Sequence, residues 1–190
     1  LALLARLNPR WFAVQTLVLC PTRELADQVA TEIRRLARAE ENIKVVTVYG
    51  GVPSRNQIAS LENGAHIIVG TPGRVMDLME RGVIDLAALN TLVLDEADRM
   101  LDMGFFDDIV TVAEQCPAER QTLLFSATYP DGIAQLAQRF MRDPQTVKVA
   151  AQHSANKIAQ RWYEVKESER LHVVSQLLAH FRPESSIAFC

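Results

Sequence analysis

Cysteine is scarce in this chain. Cys20, Cys116 and Cys190 are odd in number, far apart, and form neither a C-x-x-C pair nor a Cys/His ligand spacing. That pattern excludes a disulfide framework and a zinc site, and reads as reduced thiols in an intracellular compartment. Long apolar runs are missing too. None approaches the ~20 residues of a membrane-crossing helix, and the opening stretch from Leu1 to Leu7 is interrupted by Arg6 and too short for a signal-peptide core. With only 8 Gly and 8 Pro in 190 residues, collagen-like, low-complexity and wholly disordered chains are excluded. No charge of one sign dominates: a net charge of -3 rules out a broadly basic nucleic-acid coat. Binding to RNA or DNA would therefore use a local patch, because counterion release depends on the phosphates neutralised at the contact.

What is present is a regular alternation. Short apolar runs occur at Leu17 to Cys20, Val45 to Tyr49, Ile67 to Val69, Leu92 to Leu94, Leu123 to Phe125 and Val147 to Val149, each followed by a polar turn and then by a stretch of helical period. Between the first two runs, Leu25, Val29, Ile33 and Leu36 recur at helical spacing, with Arg34, Arg35 and Arg38 on the solvated side. Near-continuous apolar strands separated by helices predict a parallel sheet covered on both faces, a doubly wound α/β domain. Ala150 to Gln160 holds few large apolar residues and reads as a linker. After it, Trp162, Tyr163 and Val165 are expected to form a further strand, with Leu171, Val174, Leu178 and Phe181 on a helix and another apolar run from Ile187 to Phe189.

In a doubly wound sheet, ligands sit beyond the carboxyl ends of the strands. Five polar motifs follow the first five runs and so share one sheet edge: Pro21-Thr22-Arg23-Glu24-Leu25-Ala26, Gly50-Gly51, Gly70-Thr71-Pro72-Gly73-Arg74, Asp95-Glu96-Ala97-Asp98 and Ser126-Ala127-Thr128. Two adjacent acids at a strand end suit nucleotide hydrolysis, where one carboxylate holds Mg2+ and its neighbour orients or deprotonates water. An acidic helix start, favoured by the helix dipole, explains the same residues. Thr71-Pro72-Gly73-Arg74 offers a capping Thr, a Pro suited to the first helical position, a Gly for close backbone approach and an Arg to pair with phosphate. A well-made helix cap is the plainer account, and it applies equally to Pro21-Thr22-Arg23. Gly50-Gly51 fits a simple turn, and Ser126 and Thr128 fit either a cap or hydrogen bonds to a carboxylate. His66, His153, His172 and His180 lack metal spacing and read as structural or exposed, and Asp107-Asp108 as a solvated helix start.

The order of these motifs closely resembles the first RecA-like domain of the DEAD-box RNA helicases, over nearly the whole chain. The stretch LVLDEADRMLDMGF from Leu92 to Phe105 is the most telling, followed by Val18 to Asp27 and Thr122 to Thr128. The wording LVLCPTRELADQV resembles bacterial members that act on ribosomal RNA. The resemblance implies a RecA-like fold of the P-loop NTPase type and an ATP-dependent, RNA-stimulated helicase that is cytoplasmic, monomeric and free of membrane contact. It implies that Asp95 holds Mg2+ through water, that Glu96 positions the hydrolytic water as general base, and that Asp98 pairs with Ser126 and Thr128 to connect ATP state to RNA grip. Pro21, Thr22, Arg23, Gly50, Gly51, Thr71, Gly73 and Arg74 would line a track for the RNA backbone, which carries no base code.

The family's phosphate loop, G-x-x-x-x-G-K-[ST], is not in these residues: the lysines are Lys44, Lys148, Lys157 and Lys166, and none follows a Gly. The chain also opens without Met, in what reads as the end of a helix. It is therefore expected to be a fragment whose phosphate loop lies upstream. Residues 1–149 would be the truncated first domain, 150–160 the linker and 161–190 the beginning of a second RecA-like domain. Such a piece is expected to be inactive alone, with a missing strand leaving an apolar sheet edge. Two other readings stay open: a non-catalytic module that binds RNA backbone, and a DNA-directed helicase.

Overall fold

The computed structural model describes residues 2–40, 42–149, 159 and 161–188, and it divides into two compact units, Leu1–Gln145 and Thr146–Cys190. In the first unit, α1 (Ala2–Ala5) leads into β1 (Thr16–Leu19), α2 (Arg23–Leu36), β2 (Val45–Val48), α3 (Ser54–Leu61), β3 (Ile67–Gly70) and α4 (Pro72–Glu80). It continues through β4 (Thr91–Leu94), α5 (Ala97–Asp102), α6 (Phe106–Glu114), β5 (Gln121–Leu124) and α7 (Asp131–Phe140). The five strands form one parallel sheet in the order β2-β3-β1-β4-β5, with Thr16 in register with both Ile67 and Thr91.

The apolar runs explain why both faces are covered. Alternate residues of one strand point to opposite faces, so Leu17 and Leu19 of β1 join a core with Leu92, Leu94, Leu78, Met100, Ile109 and Leu136. Val18 joins a second core with Ile67, Val69, Val93 and the buried Ala26, Ala30 and Ile33 of α2. Each large side chain so enclosed contributes about 1.5–3 kcal/mol relative to exposure. Every position of β1, β3 and β4 is buried, whereas all four residues of the edge strand β5 are only partly buried.

His66, one of the few buried polar residues, ties the lower end of the sheet together. Its Nδ1 accepts the Lys44 N–H at 3.0 Å, which leaves Nε2–H to donate to the Pro9 carbonyl at 3.1 Å, and the Phe12 ring lies 4.6 Å away. Of the two expected readings, structural or exposed, this residue is structural. Asp107 and Asp108 open α6, as their spacing suggests.

Three expectations differ. β5 begins at Gln121 and ends before Phe125, whose exposed ring leaves the sheet although its N–H still bonds the Leu94 carbonyl at 2.8 Å. Val147 to Val149 is not a strand, and Val147 is 86% exposed. Trp162, Tyr163 and Val165 are also exposed and form no strand. An apolar run becomes a strand only where a neighbour completes its ladder, and among the described residues neither segment has one. Among its described residues the second unit has a 3-10 turn, Glu167–Glu169, and α8 (Arg170–Phe181), which carries Leu171, Val174, Leu178 and Phe181 as expected, none of them buried. The expected linker lies outside the described residues except at 159, as do His153 and the end of the run from Ile187 to Phe189.

Candidate functional site

The chain passes from β1 outward to β2, returns through β3 beside β1, and crosses to β4 on the other flank. The order reverses between β1 and β4, the position where doubly wound sheets hold ligands. Main-chain bonds continue the ladder past the strand ends and align the motifs: Cys20 N–H donates to the Gly70 carbonyl (2.9 Å), Thr71 to Val48 (3.0 Å), Asp95 to Leu19 (3.0 Å) and Ala97 to Phe125 (3.0 Å). The five motifs lie along one edge, as their positions after the strands require.

At the acidic end, Asp95 is partly buried and Glu96 exposed. Glu96 holds a left-handed backbone (φ 48°, ψ 51°) at the turn from β4 into α5, and its N–H donates to Asp95 Oδ1 at 3.1 Å. A left-handed conformation costs a non-glycine residue roughly 1–2 kcal/mol, and such strain concentrates where function fixes a side chain. Beneath the pair, Cys20 is buried; burial first, then the charges of Asp95 and Glu96, push its thiol up to about 12. It remains protonated and unreactive at neutral pH.

Asp98, one helical turn onward, receives the Thr128 N–H at 2.9 Å and the Thr128 hydroxyl at 2.8 Å on Oδ2. Ser126 makes a different bond from the expected one. Its hydroxyl accepts the Asp98 main-chain N–H at 3.3 Å and donates to the Thr128 carbonyl at 2.7 Å. Partial burial pushes the Asp98 carboxyl up, but the Thr128 hydroxyl and N–H, with Ser126 and the Arg99 N–H adding, outweigh it and hold it below its ordinary range.

The donor set suits Mg2+, a hard cation that is held by one or two carboxylates and keeps several waters. Asp95 offers one carboxylate at the sheet edge, and no cluster of three or more His, Cys, Asp or Glu among the described residues would form a protein cage for an ion.

On the other side of the switch point, Thr22 caps α2, its hydroxyl accepting the Leu25 N–H at 3.3 Å, while the exposed Arg23 pairs with Glu24 at 2.5 Å. Pro21 is buried beneath them. Thr71 precedes α4 without capping it through its side chain. An added Cβ at Gly73 would meet nothing nearer than Asp108 Oδ2 at 3.4 Å, and Gly50 and Gly51 have nothing within 4 Å. Packing within the chain thus does not require these three glycines, although Gly51 does adopt φ +79°. Arg74 is the exception to the expected picture. Its guanidinium faces inward, donating to Gln57 Oε1 and to the Val52 carbonyl, both at 3.1 Å.

Two residues of this edge have roles that the sequence reading does not assign: Gly70, which heads its motif, and Gln57. Gly70 is dictated by packing: a Cβ there would collide with the Val48 carbonyl and lie 2.6 Å from Val48 Cγ2 and 2.9 Å from Val75 Cγ2. Gln57 is buried on the same face of α3 as Leu61, four residues on. A polar side chain at that spacing from an apolar one was the available signal.

The family model for DEAD/DEAH box helicase matches residues 1–136. The chain is 49% identical over its whole length to the ATP-dependent RNA helicase DbpA of Escherichia coli (strain K12), covering 42% of that protein. It is 45% identical to the DEAD-box ATP-dependent RNA helicase CshA of Geobacillus kaustophilus, over 97% of this chain and 39% of that one. The chain thus spans about two fifths of the length of these curated relatives. Among solved structures, a DEAD box protein from Methanococcus jannaschii superposes with a TM-score of 0.72 at 40% identity, covering 91% of this chain and 46% of that one. The doubly wound α/β fold is the RecA-like one expected.

Proposed function

Because the chain belongs to the DEAD/DEAH box helicase family, we propose that it is the motif-bearing part of an ATP-dependent RNA helicase, coupling ATP binding and hydrolysis to local unwinding of RNA duplexes. On this reading residues 1–149 belong to the first RecA-like domain, 150–160 to a linker and 161–190 to the beginning of a second. The names of the relatives, both ATP-dependent RNA helicases, support ATP and RNA as ligands. The wording from Leu17 to Val29 favours ribosomal RNA, and the family resemblance a cytoplasmic, monomeric protein.

The observation that carries this reading is the strained turn at Glu96. It stands at the topological switch point beside Asp95, with Asp98 bonded to Thr128 one turn away. Asp95 would hold Mg2+ through water, and the ion would supply charge neutralisation on the phosphates. Glu96 orients a water and takes its proton, a task an exposed carboxylate at a sheet edge can perform. The bonds from Asp98 to Thr128 and Ser126 join the acidic turn to the end of β5, and so offer a path by which nucleotide state alters RNA grip. Thr22, Arg23, Gly50, Gly51, Thr71 and Gly73, with Pro21 buried under the first two and Arg74 turned inward behind the Gly pair, give a polar, sterically open run for a sugar-phosphate backbone with little sequence preference.

In the full-length protein, Glu96→Gln keeps the shape of the side chain and removes the base. RNA-stimulated ATP turnover should fall about 100- to 10,000-fold with ATP and RNA binding preserved, and wild-type turnover by the variant would refute the assignment. A second reading is a non-catalytic binder of RNA backbone; a G-x-x-x-x-G-K-[ST] segment upstream of Leu1 in the full-length protein supports the enzyme, and a full-length protein without one supports the binder. The 190 residues by themselves, which do not contain that segment, are expected to hydrolyse no ATP above background, with or without RNA, and turnover by them would overturn this account of the site.

A further inference from the structure

The Gly50-Gly51 turn between β2 and α3 is open on its outer side and held on its inner side. Outside, neither glycine has an atom within 4 Å of where a Cβ would stand, and Gly51 takes φ +79°. Inside, the carbonyls on either side of the pair are both engaged. Gln57 Nε2 donates to the Tyr49 carbonyl at 3.0 Å, and Arg74 Nη2 donates to the Val52 carbonyl at 3.1 Å. Arg74 Nη1 donates to Gln57 Oε1 at 3.1 Å, joining the two holds into one bracket. Asp77 Oδ2 lies 3.8 Å from Arg74 Nε, and the Tyr49 hydroxyl is anchored to Asp27 Oδ2 at 3.0 Å. The bracket is enclosed: Gln57 is 8% exposed and the Arg74 side chain 15%.

A guanidinium that grips phosphate needs its fork of donors turned toward the ligand. Here the fork is turned toward the turn and α3. We propose that Arg74 and Gln57 are positioning residues, which set the Gly50-Gly51 turn for an RNA backbone without touching a phosphate themselves. This rests on the RNA-binding reading above. The planar fork serves two acceptors at fixed geometry, which the single ammonium of lysine cannot reproduce, so the argument turns on shape and not on charge.

The decisive variants are Arg74→Lys, which keeps the charge and loses the fork, and Gln57→Leu, which keeps the volume and loses both bonds. Each is compared with wild type in the full-length protein by titrating single-stranded RNA at several salt concentrations, and by amide hydrogen exchange at Gly50, Gly51 and Val52 without RNA. Both variants should bind RNA roughly tenfold more weakly, the worth of one hydrogen bond to a charged group. The slope of log affinity against log salt should be unchanged, and exchange in the turn should be faster. A direct phosphate contact gives a different pattern: exchange in the turn is unchanged in Arg74→Lys, and Arg74→Ala flattens the slope by about 0.7. That outcome overturns the proposal even if Gln57→Leu fails to fold, as does unchanged exchange in Arg74→Lys by itself. Wild-type protein that binds no RNA overturns the RNA reading instead, while exchange still reports whether the bracket holds the turn.

Discussion

Thr128 gives both its hydroxyl and its main-chain N–H to a single oxygen of Asp98, at 2.8 and 2.9 Å, and so ties the segment after β5 to the first turn of α5. The carboxylate is worth more to the fold charged than neutral, because these donors hold it below the ordinary aspartate value of 3.8 despite partial burial. The native state therefore binds this proton less readily than the unfolded chain. Its contribution to stability is present above 3.8 and is lost as pH falls through the lower native value. Asp98→Asn, which keeps an acceptor for Thr128, should lower the urea midpoint at neutral pH, with the gap to wild type closing as pH falls below 3.8. A gap that stays constant over that range would mean the charge contributes nothing.

Gly70 and Gly73 stand three residues apart and should respond oppositely to a methyl group. Gly70→Ala drives a Cβ into the Val48 carbonyl at the β2–β3 junction, and is expected to destabilise by about 1–3 kcal/mol, as overpacking does. Gly73→Ala meets only Asp108 Oδ2 at 3.4 Å, in the first turn of α4. Its stability should hold or rise by up to about 1 kcal/mol, while RNA affinity falls if the backbone comes close to that helix start. Thermal melts with RNA titrations separate the two effects.

His66→Leu would strand the Lys44 N–H and the Pro9 carbonyl in the lower part of the fold. A buried group left unsatisfied costs about 1–3 kcal/mol, so chemical denaturation should show a loss in or above that range. No loss would mean that water reaches both groups.

Cys20 should resist alkylation in the native protein at neutral pH, because burial and the neighbouring Asp95 and Glu96 push its thiol to about 12. Mass mapping after iodoacetamide should find the Cys20 peptide modified only once urea unfolds the chain. Rapid native labelling would show that the acidic edge opens to solvent.

The strands and their order of motifs were legible in the sequence because buried parallel strands demand apolar runs whatever else surrounds them, and Leu17, Ile68 and Leu92 are fully buried as those runs require. The same logic put Asp95 and Glu96 at a strand end, and there they lie. It failed at Val147 to Val149 and at Trp162 to Val165, where apolar character was present but, among the described residues, a pairing neighbour was not.

Contacts across the fold were decided otherwise. Composition could place Arg74 at a helix start, but only the approach of α3 to α4 turned its guanidinium onto Gln57 and Val52. Ser126 and Thr128 read alike as hydroxyls after a strand, yet the path of the chain beyond Phe125 gave Thr128 the carboxylate and Ser126 the main-chain N–H of Asp98. Gly70 was the least visible of all. Its need for a hydrogen in place of a side chain comes from Val48, twenty-two positions earlier, which reaches it only because β2 pairs with β3. Local sequence fixes periodicity and chemistry within a turn or two of the chain. Which donor meets which acceptor depends on side chains brought together from distant positions, and that is set by packing.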